Sequence, residues 1–280
     1  MARHTGTDLL NAAAACGRHA TPRLLRDWVE LGLLDHPKRR GLGRGRGVVA
    51  TWSTNQRELF LDLLDLRAAG FAIANMCGLP VWAWLRLGDD YVPLPQVRRA
   101  MQTWAARRDH TSWSDSGKIA SEVVRSVAHP SARRGVLTQL RVAIAAGQFE
   151  GRFVADEFLP AARYAMDPAR TRAPRGPRDV PVTPAAIARL VETRVRARDR
   201  LAAMPDAAYL QAREVYRFGV SDYAVRQPFF AAAADLGALF KPHDPEDQVR
   251  TACLDLLTLM GAFTEAESHA QGSSAAAPSD

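Results

Sequence analysis

Apolar residues recur at three- and four-residue intervals along most of this 280-residue chain, the spacing that gives an α-helix one dry side and one wet side. The clearest case lies between Thr21-Pro22 and Gly32, where Leu24, Leu25, Trp28 and Leu31 share a side and Arg23, Arg26, Asp27 and Glu30 lie outward or lateral. A capping threonine, a proline in the first turn and a glycine after the last turn predict a helix with both ends marked. Ahead of it, Thr7 is the predicted cap of a shorter helix from Asp8 to about Cys16, stopped by Gly17. The period then changes. "LLDHP" and "VVATW" read as two strands, with the basic run Lys38 to Gly47 as the turn between them.

Beyond Leu79 the helical period returns. "PVWAWLRLG" and "PQVRRAMQTWAARR" predict two helices separated by "YVPLP", followed by helices within Ser116 to Ala128 and Ser131 to Ala146, each opened by a capping serine. "RTRAPRGPRDVPVTP" has no apolar period and reads as a linker. Thr183-Pro184 then restarts a helix to about Met204, with further helices at Ala207 to Tyr216, at Gln227 to Phe240, and from Asp244-Pro245 to about Phe263. The fold class expected is mainly α: an N-terminal winged helix-turn-helix with a small β-hairpin wing, then an all-helical C-terminal region. The expected division is a winged helix-turn-helix head at 5–93, a helical region suited to dimerisation at 94–166, a Pro/Arg-rich linker at 167–182, a helical C-terminal domain at 183–263 and a disordered tail at 264–280.

Charge sharpens this picture. The net charge is +7, and the excess is uneven: Arg18 to Val49 holds eight Lys and Arg against three Asp and Glu, whereas acids outnumber cations from Asp244 onward. A basic N-terminal region suits a polyanion, against the alternative of a solvated basic face with no partner. Spaced glycines at Gly41, Gly43, Gly45 and Gly47 invite comparison with a dinucleotide fingerprint, but Arg46 or Val48 falls where the third glycine belongs and a β-type run follows instead of a helix. A flexible Arg-Gly arm fits poorly as well, because apolar segments flank the run on both sides. The wing reading gives the glycines a conformable tip and makes Lys38, Arg39, Arg40, Arg44 and Arg46 the cations that displace counterions from phosphate.

Other chemistries find little support. Cys16, Cys77 and Cys253 form no C-x-x-C pair, so neither a zinc knuckle nor a disulfide framework is expected. Asp89 and Asp90 read as a turn, lacking a third ligand for a cation. No G-x-S-x-G, H-E-x-x-H or P-loop motif occurs, so no catalysis, cofactor or metal is expected. No apolar run approaches the ~20 residues that span a bilayer, and Asp8 and Asn11 break the apolar run a signal peptide would need, so the location expected is the cytoplasm, with the nucleoid.

From about Thr7 to Ile73 the chain resembles the MerR-type transcriptional regulators. "TPRLLRDWVELGLL" is similar to that family's recognition helix and following strand, "ATWS" to the end of its wing, and "QRELFLDLLDLRAAGFAI" to its next helix and "LR-x-x-G-F" turn. The resemblance implies that Thr21, Arg23 and Arg26 face DNA, that Trp28 is a packing aromatic and that Trp52 stands at the wing tyrosine position. Leu24 and Asp27 depart from it, standing where threonine and tyrosine are usual, and the wing is longer and richer in arginine. His19, in the interhelical turn, is either a phosphate contact or an exposed histidine with no task. Trp28 and Trp52 both fall on the inward phase of their elements and read as core residues.

The function expected is a sequence-specific double-stranded DNA-binding regulator working as a homodimer. Pairing is expected through helices between Pro95 and Ala146, where Val97, Met101, Trp104, Ile119, Val123, Val127, Leu137, Leu140 and Ile144 recur at helical spacing, a pattern an intramolecular core shares. An architectural or excisionase-like recombination factor is the alternative, and a helical scaffold or enzyme whose head has lost DNA binding is a third. The helical C-terminal half leaves open a small-molecule effector pocket, a partner surface or a larger dimer interface. Its aromatics Tyr209, Tyr216, Phe218, Tyr223, Phe229 and Phe230 suit either a pocket or a core.

Overall fold

The computed structural model describes residues 2–41, 48–109, 131–146, 155–166, 184–231 and 245–274, together with 120, 121, 124 and 128. Among these the chain is mainly helical with one small antiparallel sheet. The N-terminal elements run β1 (Arg3–Thr5), α1 (Gly6–Ala15), α2 (Pro22–Glu30), β2 (Lys38–Gly41), β3 (Val48–Ser53), α3 (Thr54–Ala68), α4 (Ile73–Met76), α5 (Gly78–Leu87) and α6 (Leu94–Asp109). The sheet order is β1-β3-β2, so the hairpin gains a third strand that the sequence pattern does not announce.

That strand moves the first helix cap. Thr5, extended at the end of β1, accepts from the Asp8 amide at 3.2 Å, while the Asp8 carboxylate accepts from the Thr5 amide at 2.7 Å. This reciprocal box caps α1 in place of Thr7, which lies inside the helix. Thr21 caps α2 as expected, accepting from the Leu24 amide at 3.2 Å, and Ser53 caps α3 through the Gln56 amide at 3.2 Å. The hairpin also differs from expectation. "LLDHP" is not its first strand, because Leu33 and Leu34 turn fully into the core after Gly32 and their carbonyls are taken by Gln96 and Arg99 from α6. Pro37 has no amide to donate, so the ladder starts at Lys38.

The chain divides into two compact units. The first comprises Met1–Arg107, Pro205–Tyr223 and Pro242–Leu256. Its core holds Leu9, Trp28, Phe60, Leu63 and Trp84, with Trp28 edge-on to Phe60 at 5.6 Å between ring centroids. Val97, Met101 and Trp104 are buried within the chain, so this part of the expected pairing surface is internal packing. The first unit takes its remaining pieces from α10 (Asp206–Ala231) and α11 (Pro245–Ser274), the last two helices. Asp206 pairs with Arg98 at 2.8 Å, and Tyr209 lies edge-on to Trp84 at 6.4 Å. Gln248 accepts from the Trp82 indole at 3.1 Å and from Arg86 at 3.0 Å, and Arg250 stands 4.1 Å over the Phe71 ring. Tyr209 is thus a core residue, and burial pushes its hydroxyl up to about 12. Phe218, 74% exposed, lies outside the core.

The second unit, Arg108–Met204, Ala224–Lys241 and Leu257–Asp280, contains α7 (Arg134–Ala145), α8 (Ala155–Met166) and α9 (Pro184–Asp199). Leu140, Ile144, Phe158, Ala161, Ala162 and Ala165 form its hydrophobic cluster, with Leu137 packed against them, so these residues too are used internally. Arg133, without a side-chain cap, precedes α7 in place of the expected Ser131. The α10 backbone is continuous where two helices were expected, because extending a formed helix through Gly219 costs about 1 kcal/mol, less than starting another. For the same reason α11 continues to Ser274 through Ala, Glu and Gln, replacing an expected disordered segment at 264–274. The linker at 167–182, most of the helix expected at 116–128, including Ile119, Val123 and Val127, and the side chains of Tyr223, Phe229 and Phe230 lie outside the described residues. No helix among the described residues is long and apolar enough to cross a membrane.

Candidate nucleic-acid interface

The predicted basic residues distribute over α2, the turn before it and the hairpin. Thr21 and Pro22 fix the start of α2, and the buried Leu25, Trp28 and Val29 fix its rotation, leaving Arg23 and Arg26 exposed. Arg23 reaches Asp27 at 3.8 Å, but with 84% and 57% of the two side chains exposed this pair holds the guanidinium only loosely. The Thr21 hydroxyl oxygen accepts from the Leu24 amide as the helix cap, which leaves its proton and one lone pair for contacts outward. His19 is exposed in the turn. Arg18 is not part of this surface: it bonds Asp65 at 2.6 Å and ties the turn to α3.

Lys38, Arg39 and Arg40 are all exposed, and they sit in strand β2, not in a turn. The register divides them. Lys38 pairs with Thr51, Arg39 with Ala50 and Arg40 with Val49, and alternation sends Arg39 to the same side of the sheet as the buried Trp52. Lys38 and Arg40 take the opposite side, with Thr51, Ser53 and Arg3. On the Trp52 side a groove of about 720 Å³ separates α2 from the hairpin, with Thr7, Arg26, Glu30, His36 and Arg39 along its edges and Leu25 and Val29 on its floor. Arg26 and Arg39 thus border one groove from two elements. Among the described residues neither has an ion-pair partner.

Trp52 holds the hairpin against the helices: its indole donates to the Asp35 carbonyl at 2.9 Å and the residue is 8% exposed. Trp28 and Trp52 are therefore both core residues, as their phase along the sequence predicts. Compared with known protein families, curated proteins and solved structures, this chain matches none.

Asp89 is a structural turn residue. It accepts from the Trp84 indole at 3.1 Å and from the Leu94 amide at 3.2 Å, and Arg213 lies 4.0 Å away. Nearby, the Tyr91 hydroxyl is pushed up to about 12 by burial and then by Glu58, to which it donates at 3.3 Å. No group of His, Cys, Asp and Glu suited to a metal occurs among the described residues. Arg44 and Arg46 lie outside the described residues, at positions 42–47. Arg3 was missed by sequence reasoning because a three-residue strand is too short to show a period; only its pairing with Ser53 brings it to the sheet.

Proposed function

We propose that this chain is a DNA-binding regulator whose head is a winged helix-turn-helix. In this reading α1 and α2 form the helix-turn-helix, α2 enters the major groove, and the β2–β3 hairpin lies along the backbone or minor groove. One observation carries it: Arg26 from α2 and Arg39 from the hairpin border the same open groove, exposed and without ion-pair partners among the described residues. Cations on two walls of one groove suit a continuous phosphate backbone better than isolated solvation. The protein acts as a homodimer, since one short helix and one hairpin bury too little surface for tight site-specific binding, and its place is on the chromosome in the cytoplasm.

The test measures duplex affinity against salt for the full chain. Arg26→Ala with Arg39→Ala should weaken binding to every duplex and reduce the log-log salt slope by about 0.9 for each phosphate that is no longer neutralised. Arg23→Ala should cost about 1 to 3 kcal/mol on a selected site and much less on random duplex if Arg23 reads a base. No binding to any duplex, or an unchanged slope in the double variant, overturns the reading.

A further inference from the structure

The opposite side of the sheet carries a second cavity. It has a volume of about 360 Å³ and lies between the β1-β3-β2 sheet and the Asp89–Pro93 turn, bordered by Arg3, Lys38, Thr51, Ser53, Asp90 and Tyr91. Strand register puts Arg3 opposite Ser53 and Lys38 opposite Thr51, so two cations from the two outer strands flank the hydroxyls of the central one. Asp35 and Asp89 also border the cavity, but Arg99 at 3.3 Å and Arg213 at 4.0 Å offset their charges. Arg3 and Lys38 have no such offset among the described residues. The sheet end of the cavity is therefore net positive, whereas the carboxylate of Asp90 keeps a second anionic group away from the turn end.

We infer that this cavity binds a small phosphate monoester with an uncharged, hydroxyl-bearing body, through the cations of Arg3 and Lys38, at a site separate from the groove beside α2. A tetrahedral oxyanion offers oxygens in several directions at once. That suits a guanidinium, an ammonium and the Ser53 hydroxyl, whose oxygen caps α3 but whose proton is free to donate. The volume is at the low end of small-molecule sites and matches a compact ligand, not a duplex. The inference stands independently of DNA binding, because the cations it uses lie on the other side of the hairpin from Arg39.

The experiment titrates the 15N-labelled full chain with glycerol 1-phosphate and, at matched ionic strength, with sodium chloride. Saturating shifts at the Thr51 and Ser53 amides are expected for the phosphate alone. They should be lost in Lys38→Gln and in Arg3→Gln and retained in Arg39→Gln, each variant keeping the wild-type Trp52 indole resonance as proof of fold. Linear or chloride-like shifts overturn the site, as does their loss in Arg39→Gln. A duplex arm separates phosphate sources: if Lys38→Gln weakens duplex binding while glycerol 1-phosphate gives no saturation, Lys38 serves nucleic acid and the small-ligand site is overturned. Saturation by glycerol 1-phosphate without any duplex binding leaves the site standing and removes the regulator reading.

Discussion

Gln56 and Gln96, forty residues apart in sequence, share a buried hydrogen bond of 2.8 Å from the Gln56 amide nitrogen to the Gln96 carbonyl oxygen. Gln56 also accepts from the Asp35 amide at 2.8 Å, and Gln96 donates to the Leu33 carbonyl at 2.9 Å. The two side chains thus pin the segment between α2 and the hairpin, which has no ladder of its own, to α3 and α6. Gln96→Leu leaves the Leu33 carbonyl and part of the Gln56 amide unmet and should cost about 2 to 3 kcal/mol in urea unfolding followed by tryptophan fluorescence. Adding Gln56→Leu should cost less than its single effect, since the pair's shared bond is already gone. Additive losses would show the two residues acting separately.

Gly32 and Gly17 both have positive φ, 74° and 69°, yet they should respond differently to alanine. A Cβ at Gly17 meets open space, so Gly17→Ala should cost about 1 kcal/mol from backbone strain alone. At Gly32 a Cβ would overlap the backbone at Arg99 and Ala100 of α6, and Gly32→Ala should cost more than about 3 kcal/mol or abolish folding. Thermal unfolding of the two variants provides the comparison, and equal shifts would refute the close approach of α6.

The three cysteines predict a simple chemical count. Cys16 is exposed, whereas Cys77 and Cys253 are buried and burial pushes the Cys77 thiol up to about 12. Since the thiolate is the reactive form, one thiol should react rapidly with a disulfide reagent at neutral pH and three after denaturation. Rapid reaction of Cys16→Ser would show that a buried thiol is accessible.

Acid should loosen the start of α1. The Thr5 backbone amide, followed by its hydroxyl, holds the Asp8 carboxyl below its ordinary value. A depressed folded value means that the stability it brings is present above the unfolded carboxyl value and is lost as pH falls through the folded one. Asp8→Asn should therefore remove part of the fall in stability below about pH 4. Identical pH profiles for the wild type and the variant would count against the capping box.

Legibility followed the strength of local signals. The α2 helix was readable because Thr21, Pro22 and Gly32 mark its ends and Trp28 its inner side. The start of β2 was misplaced because Leu33 and Leu34 are apolar for the sake of a core contact, which a strand pattern mimics. The groove was only half legible: the presence of Arg26 and Arg39 was visible in the sequence, but which side of the sheet Arg39 takes follows from pairing with Ala50. Val97, Met101 and Trp104 formed a helical stripe whose partner no period names, and that partner is the chain's own core.

The close approach at Gly78 has a consequence for how the protein is made. A side chain there would collide with the backbone of Val249, so α5 and the beginning of α11 touch across some 170 residues of chain. At elongation rates of about 5 to 20 residues per second, the ribosome needs roughly ten seconds or more between delivering one surface and the other. During that interval the side of α5 that receives Gln248 and Val249 is uncovered. A chain cut short before Val249 should therefore keep the Trp28–Phe60 core but leave this side of α5 exposed to solvent.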